Sequence, residues 1–159
     1  MPGILETSSS KAALKTRWPE GSRMHALLFV NRIALGWYML FAGWNKVLNE
    51  WNEGFGTFLN GSFQNRVPGW LPDFIATPYG YALPWLELIF GALLFIGFLG
   101  RGAAIVTTLV LLSIAIALIG TGEFFPRHHV MVFLPIALLL ASTGPGNYSL
   151  DGMLKRRIA

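Results

Sequence analysis

The chain has 159 residues, of which 53% are hydrophobic and 13% charged, and its formal net charge is +4. A soluble domain carries about 25% charged residues, so this composition favours a membrane protein. The chain contains no cysteine. That absence excludes a thiol–disulfide relay, an iron–sulfur cluster and a covalently attached c-type haem within this chain.

Four apolar stretches dominate the sequence and predict its fold class. They cover residues 27–47, 79–99, 103–119 and 126–142. About 20 apolar helical residues cross a hydrocarbon core, with a minimum near ~17, and the four stretches meet this range. We therefore predict an all-α fold, a polytopic membrane four-helix bundle in residues 24–154. A basic tail at residues 1–23 and a basic C-terminus at residues 155–159 flank it.

The distribution of lysine and arginine predicts the orientation of the bundle. With an even number of spans both termini lie on one side, which holds eight basic residues against three on the other. Because cytoplasmic loops are enriched in Lys and Arg, we expect both termini in the cytoplasm of a bacterium or archaeon, with the chain in its cytoplasmic (inner) membrane. Topology and anionic lipid then explain the positive charge, and no nucleic-acid partner is expected.

The first predicted helix carries its charges on one face. Arg32, Gly36, Met39, Gly43 and Lys46 follow one another at spacings of three and four residues, so they share one side of the helix. Since small residues let membrane helices approach closely, we expect this face to point into the bundle. The simpler interpretation is that both cationic side chains only extend to the nearest headgroup layer.

The connection between helices 1 and 2, residues 48–78, is long and aromatic. Trp51, Phe55 and Phe58 recur in it at helical spacing, and aromatic residues favour the headgroup boundary. We predict a long aromatic loop or an interfacial helix that covers one mouth of the bundle. Simple anchoring in lipid is the alternative.

Glu87 is the only Asp, Glu, Lys, Arg or His of the second apolar stretch. A charge at that depth costs about 2.5–3.5 kcal/mol on insertion scales, so such a residue usually faces the protein interior and has a partner. Gly80 and Gly91 lie on its helical face, which predicts that this face packs against helix 1. Two partners remain open: Arg32 through its long side chain and bridging water, or Lys46 reaching inward.

The remaining connections are short, and helix 4 adds two histidines. Residues 100–102 form the predicted turn between helices 2 and 3, which makes these helices antiparallel neighbours. His128 and His129 can supply donors or proton carriers to the Glu87 cluster, or they are ordinary interfacial residues. Because neighbouring helical residues point about 100° apart, the two histidines cannot bind one metal together, and no metal site is predicted.

Three motifs together resemble the DoxX family. Helix 1 has the pattern Arg32…Gly36…Phe41-Ala42-Gly43…Lys46, and helix 2 has Glu87…Gly91…Leu94…Gly97…Arg101. The ending Gly144-Pro145-Gly146-Asn147-Tyr148-Ser149-Leu150-Asp151 resembles the family's C-terminal signature, usually GPGRxSLD, with Asn147 in place of the common arginine. The resemblance covers residues 27–154. It implies a four-helix membrane protein related to the DoxD subunit of thiosulfate:quinone oxidoreductase.

The resemblance also implies a function, since family members are reported as membrane partners of soluble redox enzymes. We predict a membrane subunit that helps a redox partner exchange electrons with the quinone pool. Quinone is the expected cofactor, and no haem, iron–sulfur cluster or metal is expected in this chain. Glu87 is the predicted proton donor or headgroup ligand. The residues predicted to assist it are Arg32 and Lys46 in catalysis, and His128, His129 and Asn45 in cofactor binding.

Two other functions remain open from the sequence. The chain is alternatively a non-catalytic membrane anchor or assembly subunit of a larger complex, in which the charges only hold helices 1 and 2 together. A conduit for small solutes is the third interpretation, and it requires several copies of a chain of this size. The expected partners are membrane lipid and either another protein or further copies of the chain within a membrane complex.

Overall fold

Every regular element in the described part of the chain is helical. The computed structural model describes residues 21–52, 58–119, 124–144, 146 and 148–158, with side chains for all of these except 49–52, 62, 124–128 and 155–158. The all-α prediction is confirmed for these residues. The elements are α1 (Ser22–Asn52), a π-helical segment (Phe58–Phe63), a 3-10 turn (Gln64–Arg66), α2 (Asp73–Ile96), α3 (Gly100–Ala117), α4 (Phe124–Thr143) and α5 (Leu150–Ile158).

Three helices in the described ranges are long and apolar enough to cross a membrane. They are Ser22–Leu48, Asp73–Ile96 and Gly100–Ala117, and the apolar helix His129–Thr143 within α4 is shorter. The membrane character predicted from composition is therefore confirmed. The fourth span, the bundle of four membrane-crossing helices and the orientation of the chain stay predictions.

Helices α1 and α2 pack with their backbones in direct contact. A Cβ added to Gly43 would lie 2.5 Å from the backbone nitrogen of Leu88, and one added to Gly36 would lie 2.6 Å from that of Phe95. Gly91 meets the backbone of α1 in the same way. Small residues are needed at these points because a side chain would push the two helices apart.

The faces that carry the charged residues point inward, as the spacing predicts. On α1, Arg32 and Met39 are buried, and on α2 Glu87 and Pro84 are buried. Lys46 lies at the end of the α1 face and keeps 25% of its side chain exposed. Burial of both faces against each other places the charged groups at the α1–α2 interface.

Helix α3 links the α1–α2 pair to α4. It packs against both α2 and α4, and α4 also contacts α1. Across this contact Tyr38 of α1 stacks on Phe133 of α4, with ring centroids 4.3 Å apart. The buried residues of α3 are Gly100, Ala103, Ala104, Thr107, Val110 and Leu111.

The turn between α2 and α3 lies earlier than predicted. Gly97 ends α2 with φ +79°, and the Phe98 N–H donates to the Leu93 carbonyl at 3.0 Å, which is the hydrogen bond of a Schellman helix end. Since α3 begins at Gly100, the prediction of a turn at residues 100–102 is wrong. The predicted helix limits also differ, because α1 extends beyond 27–47 and α2 begins at Asp73 rather than at 79.

A C-terminal clasp, defined here as Tyr148, Ser149 and Asp151, bonds to the end of α2 and to the starts of α3 and α5. The Asp151 carboxylate accepts hydrogen bonds from the N–H groups of Leu99 at 3.0 Å and Gly100 at 2.8 Å. A carboxylate is favourable at this position because the N-terminus of α3 carries partial positive charge. Ser149 caps α5, its Oγ accepting from the Gly152 N–H at 3.1 Å. Helix α5 extends to Ile158, so residues 155–158 of the predicted basic C-terminus are helical.

The connection between α1 and α2 folds back onto α2. Phe58 and Leu59 are buried, and a Cβ on Gly80 would lie 2.7 Å from side-chain atoms of Leu59 and Phe63. Trp70 is 72% exposed. Residues 53–57 lie outside the described residues, so the helix predicted through Trp51, Phe55 and Phe58 stays a prediction.

Candidate functional site

The charged pair of the α1–α2 interface is Lys46 with Glu87. The Lys46 ammonium donates to both carboxylate oxygens of Glu87, with Nζ–Oε1 and Nζ–Oε2 distances of 2.6 Å. The Glu87 side chain is 3% exposed. Of the two partners left open by the sequence, the structure therefore selects Lys46. A buried carboxylate held by one lysine is an arrangement in which the loss of either partner leaves the other uncompensated.

A cavity of about 320 Å³ opens beside Lys46. Its walls come from α1, the aromatic connection, α2 and α3, and they are mostly apolar. The Lys46 ammonium also lies 5.8 Å from the ring centroid of Phe58. Glu87 does not belong to the described residues of the wall, so it reaches the cavity through Lys46. The wall residues are Lys46, Phe58, Phe63, Arg66, Val67, Pro68, Trp70, Leu71, Tyr79, Leu83, Ser113, Ile114, Ile116, Ala117 and Leu118.

Two hydroxyl groups form a second polar point in the wall of this cavity. Tyr79 of α2 and Ser113 of α3 share a hydrogen bond between their side-chain oxygens. Ser113 Oγ also donates to the Val110 carbonyl at 2.7 Å. The sequence gives no sign of the bond between Ser113 and Tyr79, because that contact depends on how α2 and α3 pack.

Arg32 lies at the opposite end of α1 from Lys46. The two residues are 14 positions apart, which corresponds to ~21 Å along a helix. Arg32 is 2% exposed. Its guanidinium Nη2 donates to the Tyr148 carbonyl at 2.9 Å, and the Nη1 side of the group lies against Gly97. The predicted catalytic role of Arg32 beside Glu87 stays a prediction, and the structure gives Arg32 the C-terminal clasp as its neighbour instead.

His129 and Asn45 do not line the described part of the cavity wall. His129 is exposed on α4 and stacks on Tyr38 with ring centroids 6.1 Å apart. Asn45 is half-buried on α1 and does not belong to the described residues of the cavity wall. The side chain of His128 lies outside the described residues. Their predicted roles in cofactor binding stay predictions.

The family model of DoxX matches residues 27–120. The chain belongs to the DoxX family. The matched range includes Lys46, Glu87, Tyr79 and Ser113, so the whole described ion pair and both hydroxyls lie within the DoxX part of the chain. The C-terminal clasp lies beyond it. No curated protein matches the chain, and no solved structure matches it.

Proposed function

We propose that this DoxX protein is a membrane subunit that binds a quinone headgroup in the cavity beside Lys46 and helps a redox partner exchange electrons with the quinone pool. One observation carries the proposal. Lys46 is at once a wall residue of an apolar cavity and the hydrogen-bonding partner of the buried carboxylate of Glu87. A ligand that enters the cavity therefore meets a cation that is directly coupled to a group able to hold a proton.

The residues of the cavity fit a quinone. Small-molecule sites are typically about 300–1,000 Å³, mostly apolar and provided with a few placed polar groups. The cavity has a volume of about 320 Å³ and aromatic and aliphatic walls with Lys46 among them. A flat, weakly polar headgroup can pack against these apolar walls, and its oxygens can accept hydrogen bonds from the few donors in them.

The residues of the ion pair have distinct tasks in this proposal. A quinone supplies two-electron, two-proton redox chemistry, with the electrons coming from the partner enzyme. An ammonium has three N–H donors, so Lys46 can bond to both oxygens of Glu87 and still donate to a headgroup oxygen. Glu87 binds Lys46 at the cavity wall and is a buried group that can give or take a proton through it.

The test is the substitution Glu87→Gln, with Asp73→Asn as the matched control. Both remove one carboxylate charge from α2, but Asp73 is exposed at the start of the helix. The tagged chain is purified in mild detergent with its partners, and quinone content per chain and quinone-linked turnover are measured. We expect Glu87→Gln to abolish turnover with folding intact and Asp73→Asn to retain it. Full activity of Glu87→Gln would overturn the relay role.

A second candidate function is a non-catalytic anchor or assembly subunit. It is favoured by the fact that both oxygens of Glu87 are already satisfied within the chain, at an interface where glycines bring the two helices together. In that case Glu87→Gln lowers thermal stability or the yield of the complex, while the specific activity of the complex that remains is unchanged. Activity normalised to the amount of assembled complex separates the two functions.

A further inference from the structure

The cavity beside Lys46 contains a second polar anchor, the hydroxyl pair of Tyr79 and Ser113. These two residues come from different helices and line the same cavity as Lys46. Tyr79 is half-buried, so its ring forms part of the wall. A ligand with two oxygens thus meets a hydroxylic point in addition to the two cationic wall residues, Lys46 and Arg66.

The bond between the two hydroxyls can run in either direction, and the bond of Ser113 to its own helix favours one of them. A serine hydroxyl carries one hydrogen, and Ser113 donates it to the Val110 carbonyl at 2.7 Å. While Ser113 donates to Val110, its Oγ accepts in the bond between the two hydroxyls and the Tyr79 O–H donates. Because the only hydroxyl hydrogen of Tyr79 is then in use, its oxygen can take part in a further hydrogen bond only as an acceptor.

We infer that the Tyr79 oxygen accepts a hydrogen bond from an O–H group of the ligand, so that the cavity binds the quinol form more tightly than the quinone form. This inference rests on the proposed function. A quinone offers only acceptor oxygens, and these gain a bond at Lys46 but none at Tyr79. A quinol keeps the bond from Lys46 to one oxygen and donates its other O–H to Tyr79.

The size of the preference follows from one hydrogen bond. The net value of a neutral hydrogen bond corresponds to about a two- to twelvefold change in an equilibrium constant. We therefore expect the quinol to bind roughly fivefold more tightly than the quinone. The same reasoning predicts opposite effects for the two hydroxyls: Tyr79→Phe removes the acceptor, while Ser113→Ala frees the Tyr79 proton to turn toward a quinone oxygen.

The experiment compares the two redox forms of one ligand. A decyl-substituted benzoquinone and its chemically reduced quinol are titrated under anaerobic conditions into the purified full chain in lipid nanodiscs. Binding is followed by tryptophan fluorescence, since Trp70 lies in the cavity wall. We expect wild type to prefer the quinol about fivefold, Tyr79→Phe to lose this preference by weakening the quinol alone, and Ser113→Ala to shift the preference toward the quinone.

A matched control accompanies the serine variant. Ser142 of α4 also donates to a carbonyl three residues earlier, Leu139 at 2.9 Å, and it is exposed away from the cavity wall. Ser142→Ala should bind both forms as wild type does. Equal affinity of wild type for the two forms, or equal weakening of both by Tyr79→Phe, would overturn the inference and leave the proposed function standing. Saturable binding of neither form would overturn both.

Discussion

The contact between α1 and α2 makes a quantitative prediction about Gly43. A Cβ at this position would lie 2.5 Å from the backbone nitrogen of Leu88 and 2.8 Å from the backbone oxygen of Pro84. The backbone atoms of a packed helix cannot change rotamer as a side chain can. To relieve the contact, Gly43→Ala must force the two helices apart by roughly 1 Å. A gap of ~0.5–1 Å forfeits a quarter to a half of the dispersion energy of each contact that it opens.

Overpacking of this kind typically costs about 1–3 kcal/mol, and we expect the upper part of that range because the obstruction is backbone. Alanine is favoured over glycine within a helix by ~1 kcal/mol. The free energy of unfolding of Gly43→Ala should therefore fall by about 1–2 kcal/mol relative to wild type. The same separation strains the bond from Lys46 to Glu87, which joins the two helices at 2.6 Å.

The assay is reversible unfolding of the purified chain in mixed micelles, with Gly102→Ala as the control. Gly102 lies in α3, and nothing lies within 4 Å of a Cβ added there. This control gains helix propensity without a clash, so its free energy of unfolding should stay unchanged or rise by up to ~1 kcal/mol. If Gly43→Ala has the same free energy of unfolding as Gly102→Ala, the close contact of α1 and α2 at Gly43 does not contribute to stability in the way that we predict.

Three further substitutions test the C-terminal clasp and the contact between α1 and α4. Asp151→Asn should lower the free energy of unfolding by about 1 kcal/mol, because the N-terminus of α3 loses a charged cap; an unchanged value in the same micelle assay would contradict this. Arg32→Leu removes the donor to the Tyr148 carbonyl, so limited tryptic cleavage at the basic residues of α5 should become several-fold faster. If the variant is cleaved at the wild-type rate, Arg32 does not stabilise the C-terminal clasp. Tyr38→Leu should cost about 0.5–1.5 kcal/mol of stability through loss of the stack on Phe133, whereas Tyr38→Phe should keep it.

Much of the helix pairing could be predicted from spacing alone. The residues Arg32, Gly36 and Gly43 recur on one side of α1, and all three are buried as that spacing predicts. Glu87 and Gly91 behave in the same way on α2. The prediction succeeds because apolar, small and charged residues must follow the helical period wherever one side of a helix meets protein.

The errors concern features that depend on distant parts of the chain. The start of α3 at Gly100 could not be predicted locally, because the carboxylate that caps it belongs to Asp151, 51 residues later. An apolar stretch predicts which residues can lie in lipid, and a helix can begin before it. Helix α2 does so, since it begins at Asp73, six residues before the apolar stretch. The sequence does not decide whether Lys46 or Arg32 is the partner of Glu87, because that depends on how far α1 and α2 are displaced along each other.

The cap that Asp151 places on α3 has a consequence for the order of events during synthesis. At a translation rate of about 5–20 residues per second, Gly100 leaves the ribosome roughly 3–10 s before Asp151 does. Throughout that interval the N–H groups of Leu99 and Gly100 lack the carboxylate that they hold in the finished fold. The cap on the turn between α2 and α3 therefore forms only after Asp151 has been synthesised.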